Sequence, residues 1–199
     1  MTNFGRQYLT DSELRALPFR SVGQHVSIHH KVNLINVENI VLGSNVRIDS
    51  NVTIIASGPV TIGSYVHIGA QCYLAAGAGL EMQDFSGLSQ DVKLYTTSDD
   101  YSGRHLTNPT VPPEYLGVTR GRILLERHVI IGAGAIVLPN AIIREGCAIG
   151  ALTLVKRSTE SWGIYSGIPA KRIGTRDRHV LELEKRLWIR SDQQAPPQD

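Results

Sequence analysis

From Val22 to Leu94 the apolar residues return every six positions, and whole units return every 20. Val22, Leu42, Ile62 and Met82 form one column, Ile28, Ile48, Ile68 and Leu88 a second, and Leu34, Ile54, Leu74 and Leu94 a third. Between them run Gly23, Gly43 and Gly63, then Val26, Val46 and Val66, then Val32, Val52, Cys72 and Val92. Six residues carry an α-helix well past a full circle at about 3.6 residues per turn, so this spacing cannot line one helical face. Short strands joined by corners satisfy it, each 20-residue unit being three six-residue sides plus a two-residue corner bulge. An apolar and a small residue per side point inward, and Gly or Asn takes the corner conformations that a Cβ disfavours.

Further along, the period is a clean 18, with Leu125, Ile131, Val137, Ile143, Ile149 and Val155 spaced by six, and Val129, Ala135, Ala141, Cys147 and Thr153 four residues after the first five. The two blocks predict four coils before and about two after a single long interruption, Ser98–Arg122. That stretch has no apolar periodicity but holds Asp99, Asp100, Tyr101, His105, Tyr115 and three prolines. Long loops in compact domains are usually functional or disordered, and the aromatics and prolines predict an ordered one, read here as an active-site loop projecting near the end of the fourth coil.

The flanks are helical. Thr10-Asp11-Ser12-Glu13 has capping-box spacing and Pro18 stops the turn, predicting a short helix over Thr10–Leu17 that covers the first coil. Val180, Leu183 and Leu187, with Leu181 and Trp188, are spaced for an amphipathic helix over Asp177–Arg190, and Ser191–Asp199 reads as a frayed tail. The organisation is therefore one domain, mainly β: a cap (1–21), coils (22–97), the loop (98–122), coils (123–157), then exit segment, helix and tail (158–199).

Composition excludes some classes of function. Lys plus Arg number 20 against 18 Asp plus Glu, a net +2, which lacks the concentrated basic face that nucleic acid requires. The N-terminus MTNFGRQYLTDSELRALPFR has neither a signal segment nor a spanning run, which predicts a cytoplasmic protein with no membrane span. Cys72 and Cys147 lack metal-ligand spacing and occupy inward columns, as buried free thiols would.

The strings IGSYVH-IGAQCY and IGAGAI-VLPNAI-IREGCA-IGALTL resemble the hexapeptide-repeat family over about Val22–Arg178. That resemblance implies a left-handed parallel β-helix, an exception to the right-handed crossover rule. It also implies a homotrimer with acyl-CoA in the groove between neighbouring prisms. RIDSNV, SYVHIG, SDDYSG with LTNPTVP, RHVIIGAGAIVLP and GIYSGIPAK together are similar to sugar acyltransferases of surface-polysaccharide pathways, especially the N-acyltransferases of dTDP-4-amino-4,6-dideoxyglucose. Transfer of an acetyl or related acyl group from CoA to a nucleotide-linked aminosugar follows as the expectation, with a hydroxyl of a polysaccharide unit as the alternative acceptor.

The acceptor's chemistry separates these two. A hydroxyl wants a general base, usually His, whereas an amine titrates nearer neutrality and needs a carboxylate to bind and orient it. Hydroxyl-acylating relatives carry the base in a T-x-x-H setting, and the matching place here reads Thr97-Ser98-Asp99-Asp100. Asp99 is accordingly expected to receive the acceptor amine, with Ser89 as its hydrogen-bonding partner and His105 as the candidate base. Asp100, Tyr101 and His128 are expected to contact the acceptor, while His25, His29, His30 and His67 read as surface residues. For CoA, the backbone at Ala133 and Ala151 would hold the pantetheine arm, Lys156 and Lys171, with Arg157 and Arg172, the phosphates, and Pro169 the adenine. No metal is expected. Two remote alternatives are a zinc carbonic anhydrase on the same fold, which requires three converging His, and a non-enzymatic scaffold.

Overall fold

The computed structural model describes residues 7–194. Its strands stack into a triangular prism with three faces of six, seven and six parallel strands, the second extended by one antiparallel strand. The first face runs from Ser21–Val22 to Ile142–Ile143, the second from Ser27–Ile28 to Gly163–Ser166, and the third from Asn33–Ile35 to Leu154–Val155. Register follows the sequence columns: Ile40, Val41 and Leu42 pair with Val60, Thr61 and Ile62, and across the loop Leu80, Glu81 and Met82 pair with Ile123, Leu124 and Leu125. The chain thus completes six coils and begins a seventh, which Lys171–Thr175 closes by pairing antiparallel to Gly163–Ser166. All six apolar residues from Leu125 to Val155 that recur every six positions are buried, as are Cys72 and Cys147, both free thiols.

The corners depart from the expected chemistry. Between the first and second faces, from the second coil on, the left-handed positions are held by Asn45, Tyr65, Phe85, His128, Gly146 and Trp162, so only two of these six are Gly or Asn. This conformation turns each N–H onto a carbonyl of the coil before, as in Tyr65 to Ser44 (2.9 Å), Phe85 to Ser64 (3.0 Å) and Trp162 to Glu145 (2.8 Å). A left-handed non-Gly residue costs about 1–2 kcal/mol. Stacking offsets it: Tyr65 lies on Phe85 with centroids 4.8 Å apart and Phe85 on His128 at 5.2 Å, geometries worth about 0.5–1.5 kcal/mol each.

Both helices form where the sequence places them. α1 (Asp11–Ala16) has its capping box, with Glu13 N–H donating to Thr10 Oγ1 and Thr10 N–H to Glu13 Oε2, and Leu14 is buried against the coils. α2 (Val180–Gln194) starts three residues later than expected, because Asp177 Oδ1 takes the N–H of His179 and ends the preceding segment. It also continues beyond Arg190 to Gln194, so the expected tail is helical in its first four residues; 195–199 lie outside the described residues. No helix among the described residues is long and apolar enough to cross a membrane.

Ser98–Arg122 leaves the prism between the third and first faces. Thr97–Ser98 and Thr119–Arg120 pair antiparallel at its base, and Gly121 N–H donates to Thr96 C=O (2.9 Å) where the coil resumes. Leu106 N–H to Tyr115 C=O (2.9 Å) and a 3-10 turn at Pro113–Tyr115 order the outer part.

Candidate active site

Ser89 stands at the corner between the second and third faces. Its N–H donates to Ile131 C=O (2.9 Å), and its carbonyl accepts from Cys72 Sγ (3.1 Å), a thiol that burial pushes up to about 11 and so keeps protonated as a donor. Below it in the same column lie Gly132 and Gly150, joined by Gly132 N–H to Ile149 C=O (2.7 Å). A Cβ on Gly132 would lie 2.5 Å from Ala151 N, so glycine is required for the coils to stack there. Ala133 and Ala151 follow, and neither backbone N–H has a hydrogen-bond partner among the described residues. The result is a trough, floored by glycine and alanine, with two spare donors for the amides of an extended chain.

At the far end of the trough the last coil and exit segment enclose a pocket of ≈ 490 Å³ lined by Lys156, Arg157, Tyr165 and Pro169. Lys156, Pro169 and Lys171 are all exposed there or just beyond it. Ala133, Ala151, Lys156, Pro169 and Lys171 thus all lie on coils or exit segment that follow Ser89 along the prism.

Over the second face a groove of ≈ 480 Å³ brings Ser89 together with Tyr65, His67, Gln90, His128 and Arg176. His128 lines it but is only 6% exposed, correcting the reading of an open groove residue. Its Nε2 is 2.8 Å from Glu184 Oε2 and its carbonyl accepts from Arg176 Nη1 (2.6 Å), so it ties α2 and the exit segment to the wall. Glu184 also accepts from Arg127 and from Trp188 Nε1 (3.0 Å). Burial pushes the Glu184 carboxyl up, but the bonds from Arg127, Trp188 and His128 outweigh it and hold it at about 2.

The loop divides its expected residues. Asp99 is exposed and its side chain has no partner among the described residues, whereas Asp100 is spent on the loop itself. Asp100 accepts from Ser102 N–H (2.7 Å), Ser102 Oγ (3.0 Å) and His105 N–H (3.1 Å), and lies 2.9 Å from His105 Nδ1. Those bonds, from Ser102 above all, hold its carboxyl well below the usual carboxylate range. His105 in turn packs over Gly117, where a Cβ would meet its ring at 2.4 Å. Tyr101, 93% exposed, sits at the tip.

Ser89 and Asp99 are not brought together within one chain. They leave the prism at opposite ends of the third face, and no residue of 98–122 lines the Ser89 groove. A side of about six residues spans roughly 20 Å at 3.3 Å per residue. His67, read as a surface residue, is half exposed and lines the groove one coil from Ser89. It shares the 20-residue column of Arg47 and Gly87. No cluster of three metal-ligating side chains occurs among the described residues.

No family model matches the chain. A curated relative, the dTDP-4-amino-4,6-dideoxy-D-glucose acyltransferase of Escherichia coli, is 39% identical over 178 residues, which is 89% of this chain and 93% of the relative. Among solved structures, AntD, an N-acyltransferase from Bacillus cereus in complex with dTDP and 3-hydroxybutyryl-CoA, superposes with a TM-score of 0.91 at 40% identity, covering 94% of this chain and 100% of AntD. A serine-substituted variant of AntD, in complex with dTDP-4-amino-4,6-dideoxyglucose and coenzyme A, gives a TM-score of 0.90 at 41% identity over 92% and 98% of the two chains.

Proposed function

This chain belongs to the family of dTDP-4-amino-4,6-dideoxyglucose acyltransferases, and from that premise we propose that it transfers an acyl group from CoA to the amine of a nucleotide-linked 4-amino-deoxysugar. The observation that carries this reading is the position of Ser89, which joins the trough with spare donors at Ala133 and Ala151 to the groove beside His67. The pantetheine arm lies along the trough, with Lys156 and Lys171 at its phosphate end and Pro169 against the adenine. Its thioester then reaches Ser89, whose hydroxyl donates to the carbonyl oxygen as the amine attacks. Carbon–nitrogen bond formation and carbon–sulfur cleavage leave an amide and the CoA thiolate, which takes up the proton the amine gives away.

Asp99 orients the amine. Because Asp99 and Ser89 lie a full face apart in one chain, the site is completed by a neighbouring subunit's loop, and the working unit is a cytoplasmic homotrimer with sites between prisms. A second reading, O-acylation of a sugar hydroxyl, has one observation in its favour: the His105–Asp100 pair at 2.9 Å has the form of an oriented base.

Thiol release with acetyl-CoA and a panel of nucleotide aminosugars and hydroxyl acceptors tests the two. Asp99→Asn should cut amine acylation at least a hundredfold, the scale of a lost acid–base or orienting group, while His105→Ala keeps most of it. The opposite ranking, with turnover on hydroxyls alone, would establish the O-acyltransferase.

A further inference from the structure

Where the loop leaves the prism, one residue departs from the pattern of the coils before it. Ala56, Ala76 and Thr96 share a 20-residue column and are all buried where the third face ends. Their amides follow one rule: Ala56 N–H donates to Ile35 C=O (3.0 Å), Ala76 N–H to Ile55 C=O (2.9 Å) and Thr96 N–H to Ala75 C=O (3.0 Å). Alanine satisfies that rule in two of the three coils, so packing alone does not call for a hydroxyl at 96.

A second rule breaks at Thr96. Gly58 N–H donates to Ala76 C=O (3.0 Å), and one coil later the same register would send Ala78 N–H to the Thr96 carbonyl. That carbonyl instead accepts Gly121 N–H (2.9 Å), where the loop returns to the prism. Ala78 N–H donates to the Thr96 hydroxyl (2.9 Å), which in turn donates to Ala75 C=O (2.8 Å). An amide left without an acceptor in a packed turn is unfavourable, so the hydroxyl takes the bond that the carbonyl gives up to the loop.

The direction of the loop starts from this root. Thr97 and Ser98 pair with Arg120 and Thr119, and Asp99 is the first residue beyond that short ladder. Gly121 has no room for a Cβ against the Asn140 side chain, so the returning strand is held close to the coil. The Asp99 side chain is exposed and has no partner among the described residues, which leaves the backbone root to set where its carboxylate stands.

We propose that Thr96 is a positioning residue for acyl transfer: its hydroxyl satisfies Ala78, frees its own carbonyl for Gly121, and so fixes the root from which Asp99 meets the acceptor amine. This rests on the role given to Asp99 above.

Steady-state thiol release with acetyl-CoA and a nucleotide 4-amino-deoxysugar, measured on the wild type, Thr96→Ala, Thr96→Ser and Asp99→Asn proteins beside calorimetric titrations of CoA and dTDP, tests it. In Thr96→Ala two amides compete for one carbonyl, and kcat should fall about tenfold to a hundredfold, the scale of a small misplacement of a reacting group. CoA and dTDP affinities should hold, and Thr96→Ser, which keeps the hydroxyl, should keep most of kcat. An unchanged kcat in Thr96→Ala, when Asp99→Asn loses it, overturns the role of Thr96 alone. So does a Thr96→Ser protein as slow as Thr96→Ala, a loss of CoA and dTDP affinity alongside kcat, or a Thr96→Ala protein that does not fold, since each marks the hydroxyl as general support. A wild type that turns over no aminosugar, or an Asp99→Asn protein with wild-type kcat, overturns the reading of Asp99 and the role of Thr96 with it.

Discussion

Replacing Glu184 by glutamine removes a carboxylate that binds Arg127, His128 and Trp188 together and so fixes α2 to the wall of the Ser89 groove. Its carboxyl stands at about 2 against an ordinary 4.5, so folding favours the ionised form. A difference of that size corresponds to roughly 3 kcal/mol, at about 1.4 kcal/mol per tenfold change in proton affinity. Arg127 is 39% exposed, and solvent screening reduces the figure to about 1–2 kcal/mol. Because the folded value is depressed, this stabilisation is fully present above the unfolded value and disappears as pH falls from about 5 toward 2. Thermal melting by circular dichroism should thus place Glu184→Gln about 2–8 °C below the wild type near neutral pH. The gap should narrow to less than half by about pH 3 and close toward pH 2, and the fluorescence of Trp188, which packs edge-on against Tyr65 and Phe85, should report loosening of α2. Equal melting temperatures at neutral pH, or a gap that persists undiminished in acid, would refute the reasoning.

Gly132→Ala sets a methyl 2.5 Å from Ala151 N and 2.7 Å from Gly150 C, backbone atoms that cannot move without disturbing the Gly132–Ile149 hydrogen bond. It should cost about 1–3 kcal/mol in stability and raise the CoA dissociation constant at least tenfold by calorimetry; unchanged CoA affinity would show that the trough is not the pantetheine path. Asp100→Ala removes the acceptor for Ser102, its hydroxyl and the His105 backbone. Limited proteolysis should then cut within 98–122 faster, while the melting temperature holds because the loop projects from the core; a loop as resistant as the wild type would mean that the prolines alone order it.

Much of the fold can be read from spacing because a β-helix repeats a local rule. Ile28, Ile48, Ile68 and Leu88 share one inward position, and each coil meets only its neighbours, so the period specifies the register that the strands adopt. The helices are legible for the same local reason, as the Thr10–Glu13 capping box shows. Corners held by Tyr65, Phe85 and His128 were not, since what permits a left-handed conformation there is stacking between coils 20 or more residues apart.

For the site, sequence alone determined the types of chemistry and their order along the chain. Ser89, the small residues that follow it, the basic exit segment and the carboxylates of Ser98–Arg122 are all readable from the sequence as candidates. Tertiary structure decided which of them meet. Asp99 and Asp100 are adjacent in sequence, yet one carboxylate faces outward and the other is consumed by Ser102 and His105, because the loop folds back on itself. Ser89 and Asp99 are ten residues apart, yet the intervening chain runs straight along one face of a triangle and delivers them to different edges. His67, 22 residues before Ser89, becomes its neighbour because parallel coils bring equivalent positions within one strand spacing.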